Sequence, residues 1–251
     1  EYFDKFFAPP KSERPNPLLY GFEMALKQAC PTQLEKVRMP PFLAGDAFHL
    51  VTNRTGLGWP SVLMGPEGSE TGLHIDTHRL PFWIAVIAPE GTAPEATLKK
   101  FRLFSHNDHK LLRYGGSKEG NNFHFDFDPW APNLRKFPLV AESVAWDADL
   151  RSGDLLYIPG GSPHAVVNEG DNLAVSMNYL DLMTMPAFAK SCNANSPLCG
   201  LLAGKGEWVI GALDKAHART EPLSYFEFAG IKDKADFCEV HWEALEKGDS
   251  P

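Results

Sequence analysis

Short apolar runs separated by turn-forming residues dominate the chain from Pro60 to about residue 180. Apolar residues that alternate with polar ones, or that form a brief continuous run, predict β-strands buried on one or both faces. The segments between them are rich in Gly, Pro, Asn and Asp, which favour turns. Eight runs fit this description: SVLM (61–64), GLHID (72–76), FWIAVIA (82–88), LKKFRLF (98–104), ESVAW (142–146), DLLYI (154–158), HAVV (164–167) and LAVSMNY (173–179).

Strands of this number and spacing predict a mainly β fold with peripheral helices, of the sandwich or double-sheet jelly-roll type. The N-terminal part is interrupted by prolines and contains an extended piece, PLLYGFE, and a helix through TQLEKVR. Late in the chain, DKADFCEVHWEALEK carries an apolar stripe at the helical period. We therefore predict one domain over 1–251, with a lead-in (1–58), a β core (about 59–180) and a helical extension (about 181–251).

Composition narrows the class of protein. The chain has 251 residues, 43% of them hydrophobic, and a net charge of −8. The charge argues against a nucleic-acid surface and suits a basic partner, but simple solubility accounts for it better. No apolar run reaches the length of a membrane span. The first residue is Glu rather than Met, so a removed targeting segment stays open. We expect an intracellular protein, nuclear or cytoplasmic; the sequence does not indicate its oligomeric state.

Four cysteines are too few for a disulfide scaffold of this length. We predict that Cys30 is a small, buried hydrophobic residue. The late residues Cys192, Cys199, Cys238 and His241 suggest a structural zinc site, but their spacing matches no standard finger. A disulfide between Cys192 and Cys199 is a second alternative. We favour free thiols over both.

The stretch SETGLHIDTHRL contains a His and an Asp two residues apart, after a turn. In a strand, His74 and Asp76 point to the same face. A third group, His164, begins the run HAVV after the turn PGGSP. Two imidazoles and one carboxylate cover one triangular face of an octahedral ion and leave three positions open. This is the pattern of non-haem Fe(II) oxygenases.

A second His-x-Asp pair competes with the first. His124 and Asp126 lie in FHFDFD, and only ESVAW and DLLYI separate them from His164. A jelly roll needs more chain than this between its two metal-bearing strands, so we favour the first pair. His78 is a further competitor, which we place at the rim because the strand is expected to end near Thr77.

An oxo-acid bound beside such an ion needs a cation for its distal carboxylate. In LKKFRLF, alternation places Lys99 on one face with Phe101 and Leu103. That face is otherwise apolar, so it is the expected inner face. A buried ammonium must be paired, and we expect Lys99 to bind the anion. The alternative is a surface lysine whose stem covers apolar residues.

These motifs together resemble a known family. The segments WPSVLMGPEGSETGLHID, LKKFRLF, SGDLLYIPGGSPHAVVN and LAVSMNY resemble, in this order, the Jumonji-C (JmjC) family of Fe(II)- and 2-oxoglutarate-dependent oxygenases. The likeness is greatest to its small hydroxylase-type, lysyl-hydroxylase-like branch, and it extends from PLLYGFE to about residue 180. It implies a double-stranded β-helix (cupin-like) core.

The resemblance also implies an activity. An enzyme of this family would use Fe(II), 2-oxoglutarate and O2 to hydroxylate a protein or peptide side chain, releasing succinate and CO2. N-methyl lysine or arginine demethylation is an alternative. A catalytically silent cupin-like binding module and a cupin enzyme that does not use 2-oxoglutarate also stay open.

Residue by residue, the resemblance makes His74, Asp76 and His164 the iron ligands. Lys99 would pair with the distal carboxylate of 2-oxoglutarate. The other residues that it brings to the 2-oxoglutarate pocket are Thr71, Asn178, Ser176 and Tyr20.

Three positions depart from the family pattern. Many members have an Asn where this chain has Ile84 after Trp83. Ser162 and Pro163 replace the aromatic pair that usually precedes the distal His. The stretch PEGTAPEAT lengthens the connection before Lys99. None of these departures removes a ligand, and they bear on the substrate and the 2-oxoglutarate contacts rather than on the reaction class.

Overall fold

The computed structural model of the chain describes residues 2–26, 31–43, 45–48, 59–112, 123–181, 183–192, 199 and 223–224. The chain forms two compact units. The first comprises Glu1–Glu23 and Val62–Asn178, and the second comprises Met24–Ser61 and Tyr179–Pro251. The prediction of a single domain over 1–251 stays a prediction.

Two five-stranded sheets make up the β core. The first sheet consists of β1 (Gly21–Ala25), β3 (Ser61–Gly65), β5 (Phe82–Ile87), β9 (Leu155–Ile158) and β11 (Asn172–Asn178). The second consists of β4 (Glu70–Ile75), β6 (Lys99–Phe104), β7 (Phe123–His124), β8 (Ala145–Leu150) and β10 (His164–Asn168).

The strand orders show a jelly-roll topology. They are β1-β3-β11-β5-β9 in the first sheet and β7-β4-β10-β6-β8 in the second. Early strands pair with late ones, since β10 lies antiparallel between β4 and β6, and β11 lies antiparallel to β5. The mainly β, cupin-like architecture is confirmed. All eight predicted runs overlap a strand, although the strand predicted over 142–146 is observed at Ala145–Leu150.

The cluster between the sheets is built from alternate residues of the strands. On β6, Lys99 and Phe101 are 0% and 1% exposed, as expected for the inner face. Side chains from both sheets meet them in a buried apolar cluster. Its members are Phe82, Ile84, Val86, Phe101, Leu150, Ile158, Val166 and Ala174.

A second apolar cluster covers the opposite face of the second sheet. Leu73, Ile75 and Ala165 point to this side and pack against the segment between β7 and β8. That segment supplies Phe125, Phe127, Phe137 and Val140. The two clusters hold the second sheet between them, so the strands that carry the expected ligands are apolar on both sides.

Helices are short among the described residues. They include α1 (Tyr2–Phe6) and α2 (Met185–Ser191). The predicted helix through TQLEKVR is observed as a 3-10 helix at Pro31–Lys36. The predicted late helix lies outside the described residues. None of the helices described here has the length and apolar character that crossing a membrane requires.

The second unit has an aromatic centre of its own. The rings of Trp59 and Phe188 pack on Phe48, with centroids 5.6 and 5.5 Å away. The buried Asp46 carboxylate accepts backbone hydrogen bonds from Phe48 and Leu180. A two-stranded sheet pairs β2 (Arg38–Met39) with β12 (Leu223–Ser224).

The expectation of free thiols is wrong for two of the four cysteines. Cys192 and Cys199 form a disulfide seven residues apart. Their sulfurs therefore offer no thiolate to zinc, because a metal binds the thiolate form. Cys30, Cys238 and His241 lie outside the described residues.

Two isoleucines on β5 test the placement of the core. Ile84 is 1% exposed between the sheets, whereas Ile87 on the same strand is 45% exposed. Replacing Ile84 with Ala should lower the free energy of unfolding by about 2–5 kcal/mol, because it leaves a cavity. Ile87→Ala should cost less than about 1 kcal/mol. Urea unfolding measures both, and equal losses would contradict this packing.

Candidate metal centre

Pairing between β4 and β10 brings two histidines face to face. His164 lies opposite His74, but two residues further along β10, Val166 lies opposite Thr71. Three residues of β4 are thus spanned by two of β10, which is a β-bulge. In a regular strand, two side chains share a face only if they are an even number of residues apart. The extra residue of the bulge brings Thr71 and His74, which are an odd number apart, to the same face. The same inner face continues along β10 through Val166 to Asn168.

The chain changes direction immediately after Asp76. His78 and Arg79 have φ angles of 51° and 56°, which non-glycine residues seldom adopt. The turn before His164 packs against them. A Cβ added to Gly160 would lie 2.5 Å from the Arg79 carbonyl oxygen, and Gly161 has φ +78°. Glycines are required in this turn for the two ligand-bearing loops to approach.

The three predicted ligands come together at this end of the core. Candidate ligand atoms of His74, Asp76 and His164 all lie within 4.8 Å of one another. Asp76 Oδ1 is 3.6 Å from His74 Nε2 and 3.8 Å from His164 Nε2. His164 is 3% exposed as a side chain, against 16% for His74 and 22% for Asp76. The group is therefore buried on one side and accessible on the other.

Backbone carbonyls fix the tautomer of both imidazoles. His74 Nδ1 lies 2.8 Å from the Gly72 oxygen, and His164 Nδ1 lies 3.0 Å from the Ser162 oxygen. A carbonyl only accepts, so each Nδ1 carries a hydrogen, and in the neutral imidazole each Nε2 keeps a lone pair. Hydrogen bonds of this type orient imidazoles that bind metal ions.

The protonation states of His74, Asp76 and His164 favour the binding of a metal cation. Burial, aided by the charge of His74, lowers the pKa of His164 to about 4, so this imidazole is neutral. Burial opposes the charged form of both other groups, but their mutual interaction outweighs it: the pKa of His74 is raised and that of Asp76 is lowered. Asn178 Nδ2 also donates to Asp76 Oδ2 at 2.8 Å. A metal ion would replace the proton that His74 shares with Asp76.

The competing residues do not join this group. In FHFDFD, the phenylalanines at 125 and 127 are buried in the outer cluster, and the alternating residues His124 and Asp126 are exposed. His124 pairs with His74 across the sheet, their ring centroids 6.1 Å apart. The expectation that His78 sits at an open rim is wrong. It follows the end of β4 but is only 3% exposed, because the left-handed turn directs it inward.

Lys99 occupies the other end of the same inner face. It is 0% exposed, and its Nζ donates to Asn168 Oδ1 at 2.7 Å and to Asn172 Oδ1 at 3.2 Å. The Tyr20 ring centroid lies 4.6 Å from Nζ. These partners are neutral, and none of the described carboxylates pairs with this ammonium. Burial accordingly lowers the pKa of Lys99 to about 7.

Asn168 is itself held in place by its neighbours. Its Nδ2 donates to the Ser69 oxygen and to Ser69 Oγ, while Asn172 Nδ2 donates to its Oδ1. Gly65 leaves the space that the amide fills, since a Cβ there would lie 2.5 Å from Asn168 Oδ1. The amide that faces Lys99 is thus fully hydrogen-bonded and oriented by the fold.

The remaining predicted pocket residues differ in their contacts. Asn178 contacts the metal group through Asp76, and Tyr20 contacts Lys99. Thr71 lies on the inner face of β4, and Ser176 pairs with Ile84 across the first sheet. Within the described part of the chain, neither hydroxyl has a hydrogen-bond partner.

Sequence reasoning missed three residues of this site. Asn168 and Asn172 hold Lys99, and Glu23 lies close enough to Asp76 and His74 for their charges to act on it. Alternation along HAVVN could have indicated Asn168, since it shares a face with His164. Nothing in the local pattern around Glu23 indicated its position.

Comparisons with known proteins agree with this architecture. A family model described as a cupin-like domain matches residues 12–185. The chain is 24% identical over 205 residues to an arginine-specific demethylase, JMJ22, of Arabidopsis thaliana, covering 78% of this chain and 38% of the relative.

Two further relatives are named for different activities. The bifunctional arginine demethylase and lysyl-hydroxylase psr-1 of Caenorhabditis briggsae is 23% identical over 188 residues, covering 71% of this chain and 44% of the relative. The 2-oxoglutarate and iron-dependent oxygenase JMJD4 of Danio rerio is 29% identical over 124 residues, covering 48% and 26%. The chain therefore spans less than half the length of these relatives.

Metal binding tests the choice between the two His-x-Asp pairs. Replacing His164 with Ala should weaken Mn(II) binding by about 100-fold or more, since even losing a ligand's hydrogen-bond partner costs about 10–100-fold. His124→Ala is the matched control and should bind normally. Affinity should also fall as the pH is lowered, because Mn(II) competes with the proton on His74. Titration calorimetry measures each value; a loss in His124→Ala instead would contradict the assignment.

Proposed function

Since the chain belongs to the family of cupin-like domains, with JmjC demethylases and hydroxylases among its relatives, we propose that it is an Fe(II)- and 2-oxoglutarate-dependent oxygenase. Its proposed reaction is the hydroxylation of a protein or peptide side chain. The observation that carries this proposal is the convergence of His74, Asp76 and His164 at one end of the core, with an uncompensated Lys99 at the other.

The donor set fits Fe(II). Two neutral imidazole nitrogens and one carboxylate suit iron and leave open positions, as non-haem oxygenases require. The fixed tautomers of His74 and His164 direct both Nε2 atoms to the same place. Asp76 supplies the negative charge, and its lowered pKa keeps the carboxylate ionised near neutral pH.

The Lys99 pocket fits the distal carboxylate of 2-oxoglutarate. A buried ammonium with amide partners alone is costly, and a carboxylate would replace much of its lost solvation. His164 and Asn168 lie four residues apart on one strand, a span of about 13 Å. A five-carbon diacid fits within this length with room for a metal ion at one end. Thr71, midway along the inner face, would donate its hydroxyl to the acid.

The residues of the chain would orient the reactants and exclude water. Asn178 holds Asp76 by a hydrogen bond, and the Phe82 ring packs 5.0 Å from His164. Val166, which lies between His164 and Asn168 on β10, belongs with Phe82 to the buried apolar cluster. Bound iron would supply the oxidising chemistry, with one atom of O2 entering succinate and the other entering the substrate.

Protein substrates are favoured by the relatives. Both psr-1 and JMJ22 have names that give arginine demethylation, and psr-1 adds lysyl hydroxylation. Demethylation is the second candidate, because hydroxylation of an N-methyl carbon gives a product that loses formaldehyde. The same site would serve both reactions, and the substrate carbon decides between them.

Succinate formation tests the proposed class. With Fe(II), 2-oxoglutarate and O2, the protein should release succinate, and Asp76→Ala should lower the rate by more than about 100-fold through loss of a metal ligand. Asp126→Ala, from the second His-x-Asp pair, should keep the rate. Metal binding without any succinate release, also in the presence of protein extracts, would instead support a silent binding module.

The lowered pKa of Lys99 predicts that the affinity for 2-oxoglutarate depends on pH. Only the protonated ammonium binds a carboxylate strongly, and its pKa is about 7 before the acid binds. The affinity for 2-oxoglutarate should therefore fall above pH 7, by about tenfold per pH unit. Lys99→Arg should flatten this profile, because a guanidinium stays charged.

Lys100 provides the control for that experiment. It is the neighbouring residue on β6 but pairs with Glu169. Lys100→Arg should keep both the affinity and its pH profile, measured by calorimetry with Mn(II) in place of iron. An unchanged profile in Lys99→Arg would show that another group binds the acid.

A further inference from the structure

Strand β8 forms one edge of the second sheet. It is the last strand in the order β7-β4-β10-β6-β8. Its six residues make it the longest edge strand of the two five-stranded sheets. An edge strand exposes backbone N–H and C=O groups that can pair with another chain. The free edge of β8 is therefore a potential binding surface.

The hydrogen bonds of β6 show which backbone groups of β8 are unpaired. The Phe104 N–H donates to the residue directly before β10, so Phe104 and every second residue before it on β6 face β10. The residues in between face β8, and Leu103 among them lies opposite Trp146. By alternation, Asp147 and Asp149 direct their N–H and C=O groups away from the sheet. Among the described residues, no backbone group bonds to them there.

On its inner face, β8 carries an exposed tryptophan near the metal group. His164, Leu103 and Trp146 lie side by side on three neighbouring strands, so the Cα atoms of His164 and Trp146 are about 10 Å apart. Ala148 and Leu150, which alternate with the outward groups, pack at the inner cluster and confirm this face. Trp146 is nevertheless 52% exposed. Tryptophan is enriched where proteins bind one another, because its ring offers a large apolar area.

The outer face of β8 has an excess of negative charge. Asp147 pairs with Arg102. Asp149 lies opposite Lys100, but the Lys100 ammonium pairs with Glu169. Three carboxylates thus lie beside two cations on this face. A basic side chain on a neighbouring strand, opposite Asp149, would balance the charge.

These charges select among the possible partners. Pairing of β8 with a second copy of itself would place aspartates opposite aspartates, which is destabilising. Each copy also has a net charge of −8. Charged side chains on an edge strand oppose self-association in this way. An extended segment with Lys or Arg on one face meets no such repulsion, and its backbone can satisfy the outward N–H and C=O groups.

We propose that the free edge of β8 binds an extended, basic segment of a partner protein as an added β-strand. Lys or Arg side chains of the segment would lie opposite Asp147 and Asp149, and the residues between them would contact Trp146. The segment is assigned to the protein substrate, which rests on the proposed function: an added strand would lie about 14 Å from β10, the strand of His164. The edge positions the substrate and touches no reacting atom.

Amide hydrogen exchange of the full chain, measured by NMR, tests the strand addition. The probe is a blocked seven-residue peptide in which Lys and Val alternate. At a peptide concentration of about ten times its Kd, exchange at Asp147 and Asp149 should slow by about tenfold, because their N–H groups gain acceptors. Exchange at Ala148, which is already bonded within the sheet, should change little.

Two control peptides separate backbone pairing from charge. N-methylation of four consecutive central residues places methyl groups on both edges of the peptide, so it cannot pair as a strand and should not slow exchange at Asp147 or Asp149. A peptide with Glu in place of Lys keeps its backbone groups but repels the aspartates of β8. It should bind at least about tenfold more weakly than the Lys peptide.

Variants of β8 locate the contacts. Asp149→Asn should weaken binding of the Lys peptide by about two- to fivefold through the lost charge. Asp149→Pro should weaken it by about tenfold or more, because it also removes an outward N–H without breaking a bond to β6. Trp146→Ala should cost about tenfold through lost contact area. Asp126→Asn, which changes an exposed acid outside β8, is the control and should bind as the parent chain does. If the unfolding midpoint shows that proline disrupts the fold, Asp149→Asn and Trp146→Ala still decide.

Three outcomes would overturn the proposal: equal binding of the Lys and Glu peptides, slowed exchange with the N-methylated peptide, or unchanged affinity in both Asp149→Asn and Trp146→Ala. The exchange measurement needs no metal ion, so it is independent of the proposed function. Failure to bind Mn(II) or to form succinate would remove the assignment to the substrate but not the binding edge. Succinate release without any slowed exchange on β8 would reject the binding edge alone.

Discussion

Antiparallel pairing of β10 with β4 is the constraint on which the site depends. It sets His164 opposite His74, and its bulge turns Thr71 to the same face. A slip of one residue would turn every side chain of the strand to the opposite face. Apolar side chains oppose such a slip on both sides of the sheet, with Val166 in one cluster and Ala165 in the other. Packing on two faces therefore protects the geometry of the metal group.

The charges of the site are incomplete without its reactants. Lys99 is buried against amides rather than a carboxylate, while Asp76 and Glu23 place negative charge at the far end. Folding holds these groups apart because each is fixed by its own strand. An oxo-acid spanning the two ends would compensate Lys99, and a metal ion would compensate Asp76. Leaving these charges without partners in the folded protein costs free energy. A molecule that supplies the opposite charges removes this cost when it binds, so the site favours such molecules.

The place of each strand in the sheet explains why His74 and Asp76 meet His164 whereas His124 and Asp126 do not. The apolar neighbours of both pairs, Leu73 and Ile75 in the first and Phe125 and Phe127 in the second, pack in the same outer cluster. Both pairs therefore turn away from that cluster, and His124 lies beside His74 in the sheet. However, β7 is the edge strand, whereas β4 is the neighbour of β10, which carries His164. Motifs of identical spacing thus differ in their surroundings because strand order decides which of them meets the third residue.

The sequence by itself determined the strands, the jelly-roll class and the residues His74, Asp76, His164 and Lys99, because strand alternation and ligand chemistry are local properties. Only the tertiary structure decided what depends on contacts between distant segments. These include the bulge that redirects Thr71, the burial of His78, the Asn168 and Asn172 amides around Lys99, the Cys192–Cys199 disulfide and the approach of Glu23 to Asp76. Such contacts depend on register, backbone turns and packing across the sheets, which no short window of residues specifies.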